Sequence, residues 1–386
     1  MHRRYQIALV ATFVAFLWLI GLQVVRPFFP ADGSLAGASK PPPALEWDPT
    51  SVLTGKTFRA IDRWYDAHAG LRRTFVRLDN QVSFSLFDEA SYHGEGTQVV
   101  SGLHNWLFER TYIRSSVEPG TQTDSQLRAF AQTIRSVQEK LARRSVPFQL
   151  IIAPNKAKVY PEFVPIAYLA GRSPERIQTN FERARPFFHE AGVHFYDGPA
   201  RYQEWKKAGT SDLFARSGTH WSYDSAFRVL QEIRTELNPL LRRSIPPLIL
   251  ASRRPESPSM TDRDLLDLIN LLSDRPYEHT LPLPKLLPNT TTPDASLPRI
   301  LWVHDSFGWT LIQLLYSAHA MQPSESLFYF KNIYRIPGRN ETDADISKIN
   351  WNTFLGHYDA VVMVWTEIAF EHQGWGFFHT LDQFLQ

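Results

Sequence analysis

Ser306 and His220 are the residues whose types and settings could carry a reaction. From Arg299 to Leu315 an apolar run stops at Asp305 and Ser306, and an apolar stretch of helical character follows. This pattern predicts a strand, a sharp turn and a helix. A serine on such a turn exposes its hydroxyl at the carboxyl edge of a sheet, where backbone N–H groups at the helix start can stabilise an oxyanion. The plainer reading is that Asp305 or Ser306 caps the helix, because both types are favoured N-caps. A nucleophilic serine also needs a base. His220 stands just before another predicted helix, between Thr219 and Trp221, and an imidazole can take the hydroxyl proton and return it to a leaving group near neutral pH.

The surrounding elements alternate. Leu127, Phe130, Ile134, Val137 and Leu141 form a helical stripe after Thr123, and Phe148 to Ala153 reads as a short buried strand ending at Pro154, Asn155 and Lys156. A helix is predicted from Ser173 and Pro174, with proline at its first position. Val193 to Asp197 reads as the next strand, and a helix is expected from an N-cap at Ser222 to about Leu237. Leu327 to Phe330 and Ala360 to Trp365 supply two more strands. Such alternation predicts an α/β fold with a parallel sheet, whose ligands gather beyond the carboxyl ends of the strands. Asn155, Lys156, His220 and Ser306 should all lie near that edge. From Ser244 to Pro298 prolines are dense around a short apolar helix, Leu265 to Leu272. A connection of that length in a compact domain is usually a functional loop or an insertion.

Asn105 to Phe108, Ala153 to Lys156 with Tyr160 to Glu162, Thr219 to Ser222, and Asp305 to Phe307 occur in that order. The ordered set resembles the SGNH-hydrolase-like domain of the alginate O-acetyltransferase family, over about Phe58 to Phe370. In that family the histidine block precedes the serine block, as it does here. The resemblance implies an SGNH-like parallel sheet flanked by helices. It also implies an envelope O-acetyltransferase that moves acetyl groups onto a polysaccharide or other glycan through an ester on Ser306. His220 would act as base and then acid, and the Ser306 N–H would contribute to the oxyanion site. A membrane-bound O-acyltransferase partner would supply the acetyl group. Asn155, Lys156, Asp305 and Arg335 are candidate substrate or oxyanion residues by the same resemblance or by position.

Two positions depart from the family pattern. The family reads Asp-x-His-Trp where this chain has Gly218, and glycine where this chain has His304. The first removes the carboxylate that orients the imidazole, a loss worth on the order of 10⁴ in turnover in the serine-protease case. Asp224, Asp212 and Glu367 are the candidate replacements. Their plain readings are a helix-dipole residue, a turn and a solvated strand end. The second departure puts a side chain where close backbone approach is expected. Together they motivate an alternative, a pseudoenzyme acting as a binding or assembly subunit of a glycan acetylation or export complex. An acetyl esterase is a further reading.

The chain has 386 residues, with 41 basic and 39 acidic side chains in no long block of one sign, so nucleic acid is an unexpected partner. Cysteine is absent, which excludes thiol catalysis and disulfides. No spacing of the 13 histidines indicates a metal site, and no cofactor is expected. His2, Arg3 and Arg4 precede an uncharged apolar segment, Ile7 to Val25, which predicts a transmembrane signal-anchor over residues 1–25 with the body outside. A proline-, glycine- and alanine-rich tether over 26–56 follows, then one SGNH-like domain over 57–386 with the 244–298 insertion. The expected location is the bacterial inner membrane, single-pass, with the C-terminal domain in the periplasm.

Overall fold

The computed structural model describes residues 2–25, 35–37, 48–68, 71–89, 98–169, 171–173, 176–273, 279–342 and 344–385. Most of the 26–56 stretch and the Ser173-Pro174 helix start therefore lie wholly or partly outside the described residues. The chain divides into two compact units, one of Met1–Val99 with Leu266–Arg275, the other of Val100–Leu265 with Pro276–Gln386.

In the first unit the helix His2–Val25 contains one span, Arg3–Leu22, long and apolar enough to cross a membrane. A helix of this length covers about 30 Å, the thickness of a bilayer's hydrocarbon core. Further helices are Pro49–Leu53, Lys56–His68 and Arg72–Phe87, and the Asn80 amide donates to the Ile269 carbonyl at 2.8 Å.

The second unit is α/β. The strands in chain order are β1 (Val99–Ser101), β2 (Leu107–Glu109), β3 (Phe148–Ala153), β4 (Phe195–Asp197), β5 (Leu250–Glu256), β6 (Leu281–Leu286), β7 (Ile300–His304), β8 (Ser324–Phe328), β9 (Asn332–Ile336), β10 (Asn340–Glu341) and β11 (Ala360–Thr366). Seven form one sheet in the order β10-β9-β8-β7-β11-β3-β4. The five from β8 to β4 are parallel, and β9 and β10 add an antiparallel edge. The 244–298 connection contributes a separate hairpin, β5 with β6.

The central strands read as unbroken apolar runs because both faces are covered. Ile300, Trp302, Ala360, Val362 and Val364 pack with the helices Tyr223–Leu237 and Gly308–Ser317. Their alternates Leu301, Val303, Val361, Met363 and Trp365 pack with Asp124–Arg143, Asn180–Glu190 and Phe377–Phe384 on the other side. The two-residue period of a strand thus feeds two cores at once. The next described α-helix begins at Asn180, where Thr179 and Glu182 form a capping box.

Candidate active site

The serine turn is built at the end of β7. Asp305 donates its N–H to the Val364 carbonyl of β11 at 3.0 Å. Its buried carboxylate accepts from Phe307 N–H at 2.9 Å and Thr366 N–H at 2.6 Å. It therefore bolts the turn to the neighbouring strand, and its oxygens face backbone donors rather than an open cleft. Burial pushes its carboxyl up to about 6, against those hydrogen bonds. Ser306, next along, is half-buried. Tyr329 stands beside it: burial raises the Tyr329 phenol, and the neighbouring Ser306 hydroxyl and N–H oppose that rise. Tyr329 reaches it because β8 runs parallel to β7 with Phe328 opposite His304, and because Tyr329 donates its own N–H to the His304 carbonyl at 2.8 Å.

His304 does not distort the turn. Its ring is fully buried, 4.6 Å edge-on from Trp309, with Nδ1 at 2.6 Å from the Asp305 carbonyl. Burial holds its pKa down at about 4, so the ring stays neutral. The space it needs comes from Gly308, where a Cβ would stand 2.5 Å from the His304 Cβ and Cγ.

His220 is buried with its ring 4.7 Å from that of Phe307, the residue after Ser306, and Trp221 meets the same ring edge-on at 5.4 Å. The serine and histidine stretches are thus brought together. His220 Nδ1 lies 2.6 Å from the carboxylate of Asp264, a residue of the 244–298 connection. That carboxylate also accepts from the Thr219 and Leu265 N–H groups, each at 2.8 Å, so three contacts fix it. A carboxylate at Nδ1 keeps the proton there and leaves Nε2 as the basic atom. Nε2 has no hydrogen-bond partner among the described residues, while the 2.6 Å Nδ1–Asp264 contact is a close ion pair whose angle falls short of a hydrogen bond. Burial opposes charging His220, but Asp264, with Asp305 and Glu109 beyond it, outweighs burial, and the pKa is raised.

Gly218 follows from the same arrangement. A Cβ at 218 would lie 2.4 Å from the Thr261 carbonyl oxygen and 2.8 Å from the Asp262 carbonyl carbon. The segment that carries Asp264 occupies the space an aspartate at 218 would need. Ser217 ties the two together, its hydroxyl donating to the Asp262 carbonyl at 2.8 Å.

The three replacements expected from sequence have other partners. Asp224 pairs with Arg253 and Arg228. The Asp212 carboxylate accepts from its neighbour Ser211 at 2.9 Å, while its carbonyl takes the Ser222 hydroxyl. Glu367 accepts from Asn155 N–H at 2.8 Å, so it braces the end of β3, and burial pushes its pKa up to about 7. None of the three holds His220, because each is spent on the element beside it.

Asn155 caps the turn Lys156–Val159 through Ala157 N–H and donates to the Tyr112 carbonyl at 2.9 Å. Lys156 is buried and donates to the carbonyls of Leu107, Ala215, Arg216 and Gly218 at 2.6 to 3.1 Å. It fastens β2 to the loop that delivers His220 and does not present a free charge. Arg335 is exposed on β9 opposite Glu325, near the start of β8 and so at the sheet end away from Ser306. Its candidacy as a substrate residue is not supported by that position. Asp264 and Tyr329 are the site residues that sequence reasoning missed. Glu109 is another; it is half-buried on β2, raised in pKa by burial and charge-coupled to His220.

The model of the ALGX family, described as the SGNH hydrolase-like domain of acetyltransferase AlgX, matches residues 99–296. The chain belongs to this family. The match includes His220 and Asp264 and stops before Ser306. A probable alginate O-acetylase AlgJ from Azotobacter vinelandii is 30% identical over 195 residues, 50% of this chain and 46% of that protein. The AlgJ of Pseudomonas aeruginosa is 29% identical over 243 residues, 63% of this chain and 57% of that protein. The chain therefore spans about half the length of the curated relatives it matches. Among solved structures, the O-acetyltransferase domain of Pseudomonas putida AlgJ aligns over 75% of this chain and 99% of its own, with 18% identity and a TM-score of 0.42.

Proposed function

We propose that this chain is a polysaccharide O-acetyltransferase that works through an acetyl ester on Ser306. The observation that carries the reading is His220 packed on the residue next to Ser306, with a carboxylate at its Nδ1. In the first half, His220 Nε2 takes the Ser306 proton as Oγ attacks the donor's acyl carbon. The bond to the leaving group breaks, and the imidazolium returns the proton to that group. The carbonyl oxygen gains charge at the Ser306 N–H, which stands beside the Tyr329 phenol. In the second half, a sugar hydroxyl loses its proton to His220 and attacks the ester, and Ser306 Oγ recovers the proton. The raised pKa of His220 matches a group that is base and acid in turn.

The names of the relatives support alginate or a similar glycan as acceptor. The apolar helix supports a single-pass inner-membrane anchor with the α/β unit in the periplasm, where a membrane-bound O-acyltransferase partner would load the serine. The binding-subunit alternative was motivated by Gly218 and His304, and both have local packing explanations.

The test is acetyl release from p-nitrophenyl acetate and transfer to alginate oligosaccharides followed by mass spectrometry. Ser306→Ala and His220→Ala should each lose about 10³-fold or more in both. Rates that neither substitution alters would refute catalysis at Ser306. Release without transfer would identify an esterase.

A further inference from the structure

A cavity of about 410 Å³ runs along one face of the helix Gly308–Ser317. Trp309, Ile312 and Tyr316 recur at intervals of three and four on that helix, so they share a face about 10 Å long at 1.5 Å per residue. Met260, Leu283 and Ile336 close the other sides. The walls are mostly carbon. The few polar groups largely satisfy one another, since Tyr223 donates to Gln313 Oε1 at 2.5 Å and touches the Met260 sulfur at 3.6 Å.

One charge enters this apolar trough. Arg339 stands in the turn between β9 and β10 with left-handed backbone (φ 50°), and its guanidinium lies 4.4 Å over the Trp309 ring. It is exposed at the rim of the cavity, no carboxylate pairs with it among the described residues, and what burial it has lowers its pKa from the ordinary value. A cation held over an aromatic ring at the mouth of an apolar trough and given no counter-ion favours an anion. Few hydrogen-bonding groups are left for a sugar, whose hydroxyls each need partners. A chain of methylene groups needs none.

We propose that this cavity binds an alkyl chain ending in an anion, with the carboxylate or phosphate on Arg339 and the chain along Trp309, Ile312 and Tyr316. Such a ligand is a fatty acid or a lipid with an anionic head. The site shares segments with the candidate active site, because Tyr223, Met260 and Trp309 follow or precede His220, Asp264 and Ser306 by three or four residues. The binding claim does not depend on catalysis.

The test uses the full chain in a non-ionic detergent and a dodecanoate carrying a diazirine on its chain. After photolysis the label is mapped by mass spectrometry. The tryptic peptide from Ile300 to Lys331 contains the whole helix face and no internal cleavage site. We expect label there that unlabelled dodecanoate or dodecyl phosphate displaces, and whichever displaces better identifies the head group. Arg339→Gln should weaken labelling about tenfold, as loss of one charge-assisted contact does. Met260→Trp, at an exposed wall position, should block it. Diazirine dodecanol should label the peptide weakly and ignore the Arg339 change. Label at the N-terminal apolar helix is the internal reference and should be equal in all variants. Label found only there, or equal on the Ile300–Lys331 peptide in the wild type and both variants, would overturn the assignment.

Discussion

Asp264→Asn is the change that tests the assembled site most directly. The carboxylate sits 2.6 Å from His220 Nδ1, and asparagine keeps its size and its acceptor for the Thr219 N–H. It removes the charge and lets the amide N–H face Nδ1, which puts the imidazole proton on Nε2, the wrong atom for a base. The same exchange in a serine protease costs about 10⁴ in turnover, or about 5.5 kcal/mol at 1.36 kcal/mol per tenfold. Asp264 is 28% exposed, so water can replace part of the lost charge, and we expect about 10³ here. The assay is the burst of p-nitrophenolate from p-nitrophenyl acetate, followed from pH 5 to 9. In the wild type, acylation should rise with pH through a midpoint above 6.5, because His220 must lose its proton to act and its pKa is raised. In the variant the largest raising charge is gone while burial, Asp305 and Glu109 remain, so the midpoint should fall from its wild-type position. Stability should follow the same linkage. The charged pair stabilises the fold below pH 6.5 and loses that contribution as pH rises through the raised value, so the variant should lose more Tm at pH 5 than at pH 9. A variant within tenfold of wild type, with an unmoved midpoint, would refute the assignment of Asp264.

Two further substitutions probe the supports. Gly218→Asp restores the family's residue but sets a Cβ 2.4 Å from the Thr261 carbonyl, so it should lower stability by about 1–3 kcal/mol in a denaturant titration and fail to raise activity, alone or with Asp264→Asn. Lys156→Met leaves the carbonyls of Leu107, Ala215, Arg216 and Gly218 without their shared donor, and should cost about 3 kcal/mol or more by urea unfolding.

The serine turn and the strands beside it were legible in the sequence because a parallel sheet buried on both faces writes itself as unbroken apolar runs. Ala360 to Trp365 is such a run and Phe148 to Ala153 is one but for Gln149, and observed strands begin at Ala360 and Phe148. The histidine was legible as a residue with the right chemistry in the right order. Its carboxylate was not. Asp264 lies 44 residues from His220 in a proline-dense connection, and no periodicity links a loop residue to its spatial partner. Asp212 and Asp224 lie near position 218 and Glu367 at a strand end, but each has a hydroxyl, an arginine or a backbone N–H closer to hand. The fit of His304 against Gly308 was equally hidden, because it exists only as a packing relation across one turn.

The placement of Asp264 also changes what the 244–298 connection tolerates. Surface connections are ordinarily where insertions and deletions accumulate, yet here the distance along the chain from Ser217 to Asp264 is set at both ends by hydrogen bonds to the same few peptides. Sequence can drift in the β5–β6 hairpin, but the register of Thr261 to Asp264 cannot slip by one residue without turning the carboxylate away. A chain shortened by excising this connection would keep its histidine, its serine and its apolar strands, and would still lose the group that tells the histidine where to hold its proton.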